Sequence, residues 1–207
     1  MKRSLISIAC LLAATSAHAG LIIDAGPGSN TQNFLTGNYV AGTEFTITGA
    51  MEIDGLGWLD AEGDGLSVQH NVGLWDTSGT LLASVLVDNT SNSVLSAQGT
   101  AKWFVEEIAR VMLNPGTYRV AGTVNGDNIA LSNNKIGNGA TLTGGYVRTD
   151  FPNGGFAYPN LTFTSEAVRA TLTTNFFQPT QNVPEPATLG LLGLGLLGLS
   201  LTRRRNI

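Results

Sequence analysis

Short alternations of apolar and polar residues fill the middle of this 207-residue chain, and two uninterrupted apolar runs lie near its ends. A strand places successive side chains on opposite faces, so short alternating runs between Gly, Asn, Asp and Pro clusters are typical of half-buried β-strands. Almost no sustained helical period is found in the middle of the chain. The pattern therefore predicts an all-β domain over residues 20–177, an antiparallel β-sandwich of jelly-roll type.

The alternating runs also predict individual strands. These are Glu44–Thr48, Met51–Leu59, His70–Asp76, Leu81–Val87, Lys102–Phe104, Val111–Leu113, Tyr118–Val124, Thr141–Arg148 and Val168–Thr173. Between Phe104 and Val111 we expect a loop, with a helical turn as the alternative, and Asp76 to Leu81 reads as a hairpin. Glycine tolerates positive φ, so the glycines of the predicted turns are expected in that conformation: Gly63, Gly65, Gly79 and Gly116.

The first apolar run predicts a secretory signal peptide over residues 1–19. Lys2 and Arg3 precede the apolar run 5–14, which would form the signal helix, and Ala17 and Ala19 are the small residues of a cleavage site. Cleavage after Ala19 would remove Cys10, the single cysteine of the chain. The mature domain is then expected to have no thiol chemistry and no disulfide.

The second apolar run predicts a single transmembrane helix over residues 187–201. A Pro-rich linker over residues 178–186 precedes it, and a basic tail over residues 202–207 follows. Fifteen helical residues span only ~22 Å, which is short for a hydrocarbon core of ~30 Å but tolerable with mismatch. By the positive-inside bias the arginines of the tail stay cytoplasmic, which places residues 20–182 on the far side of the inner membrane.

This C-terminal segment resembles the PEP-CTERM sorting signal of Gram-negative bacteria. The resemblance rests on Pro184, Glu185 and Pro186, on the Gly/Leu-rich run, and on the cluster Arg203, Arg204 and Arg205. It implies that exosortase, a membrane-embedded processing enzyme, recognises the three-residue motif, and that the arginines stop transfer. It also implies an exported protein that is first anchored in the inner membrane. After processing it would lie at the cell surface or in an exopolysaccharide-rich biofilm matrix.

A second resemblance covers residues 45–125. The runs Leu56-Gly57, Gly63-Asp64-Gly65-Leu66 and His70-Asn71-Val72-Gly73-Leu74-Trp75 are similar to a β-sandwich domain of unknown function that is common in exported bacterial proteins. The resemblance implies a sandwich fold, and no activity comes with it.

Charge narrows the choice of partner. Residues 20–182 contain six Lys and Arg against fourteen Asp and Glu, an excess of eight negative charges. Phosphates would be repelled by such a surface, so we expect no nucleic-acid partner.

One acidic loop has the beginning of a calcium-binding pattern. Asp60, Glu62 and Asp64 alternate as oxygen ligands before Gly65, but Asn71 stands where the bidentate Glu of a helix–loop–helix site is expected. We take these three residues as a candidate calcium site, with a solvated turn as the favoured alternative. His70 is a lone imidazole, which favours a structural role over a catalytic zinc site.

Catalytic patterns are weak. The chain has no Gly-x-Ser-x-Gly nucleophile motif, and paired carboxylates for glycoside hydrolysis would have to come from Glu106 and Glu107 or from Asp60 and Asp64. Neighbouring residues of a strand face opposite ways, so Glu106 and Glu107 are not expected to converge. The sequence therefore predicts a protein that is not an enzyme.

Aromatic residues leave two readings of the domain open. Rings that could stack on sugars are Trp58, Trp75, Trp103, Tyr146, Phe151, Phe156 and Tyr158, although Trp58 and Trp75 are expected in the core. The first reading is a non-catalytic structural or adhesive protein of the surface or matrix. The alternative is a calcium-supported glycan-binding module for exopolysaccharide.

Overall fold

The computed structural model describes residues 20–25, 32–34, 38–126, 129–131, 135–137, 140–150, 155–163 and 173–179. Within them the chain forms fifteen β-strands and no helix, which confirms the all-β prediction. Numbered in chain order, the strands are β1 Gly20–Leu21, β2 Ile23–Ala25, β3 Gln32–Phe34, β4 Tyr39–Ile47, β5 Met51–Asp60, β6 His70–Asp76, β7 Leu81–Val87, β8 Asn92–Leu95, β9 Lys102–Leu113, β10 Gly116–Thr123, β11 Ile129–Leu131, β12 Lys135–Gly137, β13 Ala140–Asp150, β14 Leu161–Phe163 and β15 Thr174–Gln178.

Two larger sheets build the domain. One has five strands in the order β1-β15-β5-β9-β8, and the other has six in the order β14-β13-β4-β10-β6-β7. Two short ribbons, β11-β3 and β12-β2, complete the described strands. Every strand pair is antiparallel, as the sequence predicts. The finer prediction of jelly-roll connectivity stays a prediction.

The main core contains large buried side chains from both sheets. Trp58, Leu56 and Phe176 come from the five-stranded sheet, and Phe45 and Leu74 from the six-stranded sheet. The rings of Phe45 and Phe176 stack across the core with centroids 4.2 Å apart. Each such side chain contributes about 1.5–3 kcal/mol when it leaves water, so this layer is the main source of stability.

A smaller apolar cluster lies on the other face of the six-stranded sheet. Trp75 and Ala121 are buried there, and the partly buried Phe156 and Tyr158 pack over them. Arg119 holds this covering segment in place, since its guanidinium donates to the Pro159 carbonyl oxygen and to Thr162 Oγ1. The segment 155–163 therefore covers a sheet face that would otherwise expose a tryptophan.

Most predicted strands are confirmed, with shifted ends. β6 and β7 match the predicted bounds, whereas β4 begins at Tyr39, five residues before the predicted start at Glu44. The predicted strand Val168–Thr173 falls outside the described residues except for Thr173, and β15 begins one residue later. β15 also includes Gln178, which the sequence assigned to the linker.

The predicted loop between Phe104 and Val111 is wrong. β9 runs through it without a break, and the irregularity is confined to the pairing with β5. Ile53 pairs with Val111 and Gly55 pairs with Glu107, so three residues of β9 lie opposite Asp54 alone. A bulge of this kind upsets the alternation in the sequence while the strand continues, which explains the misreading.

The predicted turns hold at three glycines of four. Gly63, Gly65 and Gly79 have φ values of 76°, 118° and 90°. The Asp76–Leu81 hairpin is closed by a hydrogen bond from Asp76 N to Thr80 O of 3.1 Å. Gly116 does not have positive φ, because it already belongs to β10 and pairs with Ile47.

The terminal predictions concern other parts of the chain. The signal peptide over residues 1–19 and the transmembrane helix over residues 187–201 lie outside the described residues. The part that is described holds no helix with the length and apolar character needed to cross a bilayer.

Candidate functional site

The acidic loop that the sequence singles out follows β5 and lines a pocket of about 330 Å³. Its walls are formed mainly by residues 58–67, with Gly126 opposite. Trp58, Leu59 and Leu66 supply apolar surface and Ser67 a hydroxyl. The structure thus brings the three candidate calcium ligands, Asp60, Glu62 and Asp64, to the wall of one half-open cavity.

The Asp60 carboxylate is already engaged inside the loop. Oδ1 accepts hydrogen bonds from Gly63 N at 2.9 Å and Glu62 N at 3.2 Å, and Oδ2 accepts one from Gly65 N at 2.8 Å. Asp60 is only 5% exposed, whereas Glu62 and Asp64 are exposed. The loop folds around this carboxylate because an ionised acceptor makes stronger bonds with backbone N–H groups than a neutral one.

Further bonds fix the loop from outside. Lys102 Nζ donates to Gly63 O at 2.6 Å. The Asn89 amide bonds both the N–H and the carbonyl of Leu66, at 2.6 Å each. The loop is therefore held at its start by Asp60, at its middle by β9 and at its end by the turn that follows β7.

Calcium coordination needs several oxygen atoms around one point. Within the described ranges, no three His, Cys, Asp and Glu side chains are grouped closely enough to hold a metal ion. The calcium site at Asp60, Glu62 and Asp64 stays a prediction. The feature in its favour is that the three residues line one pocket.

His70 lies behind the pocket and has structural contacts. It is fully buried, and its ring stacks on Trp58 with centroids 3.8 Å apart and an interplanar angle of 5°. Nδ1 donates a 2.7 Å hydrogen bond to the Thr123 carbonyl oxygen. The imidazole therefore ties β6 to the end of β10.

Of the two carboxylate pairs considered for hydrolysis, Glu106 and Glu107 do not converge. Glu106 pairs with Leu56 and Glu107 with Gly55 in successive positions, so the two side chains point to opposite faces of β9. Asp60 accepts three backbone hydrogen bonds, and both Asp60 and Asp64 line the pocket. Glu106 and Glu107 therefore do not have the arrangement in which two carboxyl groups flank a glycosidic bond.

The tryptophans serve the core. Trp58, Trp75 and Trp103 are 1%, 3% and 0% exposed. Phe156 and Tyr158 are half-buried over Trp75, with ring centroids 5.2 and 6.5 Å from it. The Tyr146 side chain and Phe151 lie outside the described residues.

Sequence reasoning missed Asp24, a buried carboxylate with four donors. Oδ1 accepts from Ser96 Oγ at 2.6 Å, from Trp103 Nε1 at 2.9 Å and from Ala25 N at 2.7 Å, and Oδ2 accepts from Ala97 N at 2.7 Å. The one available signal was an acid inside the apolar run 21–25. Asp24 joins the first strands of the domain to the turn that follows β8 and to β9.

The other candidate site is the C-terminal sorting segment. The PEP-CTERM protein-sorting motif matches residues 182–205. This chain carries a PEP-CTERM sorting motif. The match spans both Pro184, Glu185 and Pro186 and the cluster Arg203, Arg204 and Arg205. The roles of these six residues in recognition and stop-transfer stay predictions, and the residues lie outside the described part of the structure.

The PEP-CTERM motif has a direct consequence for the fate of the chain. It implies an exported protein that exosortase processes at the membrane. Residues 182–205 are a small part of the chain, so the match concerns sorting and leaves the activity of the β-domain open. No curated protein and no solved structure matches this chain.

Proposed function

We propose that this chain is a non-catalytic exported protein, delivered through its PEP-CTERM motif to a structural or adhesive role at the cell surface or in an extracellular matrix. The observation that carries the proposal is that one chain contains both a sorting motif at residues 182–205 and an all-β domain. A domain of this size can be stabilised by its buried core without disulfides. This agrees with a chain whose single cysteine lies at position 10.

The bonding of the catalytic-type side chains supports a role without catalysis. His70 is buried in a stack with Trp58, and Asp60 accepts three backbone hydrogen bonds. A general acid or base must reach substrate and exchange protons, which these environments hinder. Glu106 and Glu107 are divided between two faces of one strand.

The charge distribution supports placement outside the cytoplasm. Arg203, Arg204 and Arg205 follow the apolar run and are held on the cytoplasmic side by the positive-inside bias. The β-domain then lies beyond the inner membrane until exosortase processes the tail. Its final partners in this proposal are the cell surface and the exopolysaccharide of a biofilm matrix.

Loss of the protein tests the structural role. We expect a strain that lacks the gene to form a less cohesive matrix under shear, and the full chain to restore cohesion. A chain in which the three arginines are replaced by Gln serves as the sorting control and should restore less. Unchanged cohesion in the deletion strain would refute the structural role while leaving the sorting motif intact.

A second candidate function is calcium-supported glycan binding, favoured by the polar pocket at Asp60–Ser67. The half-open cavity of about 330 Å³ is large enough for part of a sugar, and exposed Glu62 and Asp64 could bind hydroxyls or a cation. The full chain in detergent should then bind sugars on a glycan array with calcium but not with chelator. Asp64→Asn should reduce binding, and binding to no sugar in either condition would reject this function.

A further inference from the structure

Two edge strands, one from each of the larger sheets, lie together on one side of the domain. β7 ends the six-stranded sheet and β8 ends the five-stranded sheet. The short turn Asp88–Ser91 connects them, and β7 packs against β9, the neighbour of β8. These two strands form what we call the β7/β8 edge.

The β7/β8 edge is apolar and exposed. Leu81 and Leu86 of β7 are 46% and 41% exposed, and Leu95 of β8 is 60% exposed. β7 contains no Lys and no Pro, the residues with which edge strands commonly prevent further pairing. Among the described strands it pairs with β6 alone, so alternate backbone N–H and C=O groups are directed away from the sheet.

Charge is nearly absent from this edge. Residues 77–101, which include β7 and β8, contain one charged residue, Asp88, although residues 20–182 contain twenty. Two copies of an acidic domain repel each other through most of their surfaces. At the β7/β8 edge they can approach with little repulsion, which favours a second copy of this chain over a basic partner as the occupant.

We propose that β7 pairs with β7 of a second copy, antiparallel about a twofold axis at Ser84, so that two six-stranded sheets become one continuous sheet. In this register Ser84 lies opposite Ser84 and Ala83 opposite Val85 of the second copy. Asp88 falls opposite Thr80, so that no like charges meet within the paired strands. A closed twofold contact of this type uses one patch twice and stops at a dimer.

The chain leaves the domain after β15, which is separated from β8 by β5 and β9. The last strand of the described domain is therefore not part of the β7/β8 edge. As an explanation of the structural role, the dimer rests on the function proposed above. Association of the purified protein is measured separately from that role.

A single engineered cysteine tests the register. Residues directly opposite in an antiparallel pair have Cα atoms ~4.5–5.5 Å apart, which is within the range of a disulfide. We expect the full chain carrying Cys10→Ser and Ser84→Cys to form a disulfide-linked dimer on mild oxidation in detergent, and the control variant carries the same Cys10→Ser change. Met112→Cys is the matched control, since Met112 is 61% exposed and belongs to neither β7 nor β8. Equal cross-linking of the two variants would overturn the proposal.

A charge substitution tests the surface without a covalent bond. Sedimentation of the wild-type chain should show a monomer–dimer equilibrium, and Leu86→Glu should raise the dimer dissociation constant about tenfold or more. Met112→Glu places the same charge on a more exposed site outside β7 and should leave the constant unchanged. A wild-type chain that stays monomeric, or a Leu86→Glu chain that dimerises as well as wild type, would contradict the pairing while leaving the matrix role to its own test.

Discussion

Removal of the Asp24 carboxylate tests how the start of the domain is held. In Asp24→Ala the indole N–H of Trp103, the hydroxyl of Ser96 and the N–H of Ala97 all lose their acceptor. Trp103 is fully buried and Ser96 is 2% exposed, so water cannot replace the carboxylate without opening the core. A buried polar group left without a partner costs about 1–3 kcal/mol, and we expect a total loss of about 4 kcal/mol in the free energy of unfolding.

Asp24→Asn refines the measurement because it keeps the shape. The amide oxygen can retain the three bonds of Oδ1, while the amide NH₂ faces the Ala97 N–H and loses that bond. We expect a loss of about 1.5 kcal/mol for this variant. A domain of this size changes its melting temperature by ~2–4 °C per kcal/mol, so the two variants are separable by circular dichroism.

Asp64→Ala is the matched control, since this exposed carboxylate should change stability by less than about 0.5 kcal/mol. All three variants are compared as the full chain in the same detergent. An Asp24→Ala chain that unfolds within about 1 kcal/mol of wild type would refute the view that Asp24 joins the first strands to the turn that follows β8 and to β9.

Three further predictions concern the packing and titration of the domain. His70→Ala should lower the free energy of unfolding by about 3 kcal/mol and change tryptophan fluorescence, since it empties the space beside Trp58; unaltered stability would contradict the structural role of the imidazole. Gly42→Ala should destabilise by at least about 2 kcal/mol, because a Cβ would lie 2.0 Å from the Val120 carbonyl oxygen, whereas Gly49→Ala meets nothing within 4 Å and should be neutral; similar melting temperatures would disprove the close approach. Burial raises the pKa of Asp54 above its ordinary value of 3.8, with Glu107 and Glu52 adding to the effect and Arg110 opposing it, so ionisation disfavours the folded state and Asp54→Asn should be more stable than wild type at pH 7. That advantage should shrink as the pH falls through the raised pKa towards 3.8, and a pH-independent difference in melting temperature would exclude this cause.

Local sequence signals predicted the parts of the fold in which neighbours in the chain are partners. β6 and β7 were found with their bounds because their alternation is joined by the Asp76–Leu81 turn. β8 was missed, since Asn92–Leu95 has no alternation of its own and is a strand only through its pairing with β9. The wrong prediction of a loop within β9 had the same cause, because the bulge depends on the register between β9 and β5.

The candidate site shows a similar division. The Asp60–Gly65 loop was identified from its Asp and Gly residues, yet spacing alone cannot tell whether a carboxylate binds a cation or the N–H groups that follow it. The role of Asp24 could not be found, because three of its four donors lie more than seventy residues away along the chain. The sorting motif was predictable in full, since exosortase processing depends on a short linear segment.

Processing of the tail is the most direct test of the central claim. The full chain and a variant with Ala at positions 184–186 are produced in cells with and without exosortase, and their masses are compared in membrane and external fractions. The account predicts that the wild-type chain loses its C-terminal segment and leaves the inner membrane only where exosortase is present, while the variant keeps its full C-terminus. Equal masses and equal distribution of the two chains in exosortase-containing cells would contradict it.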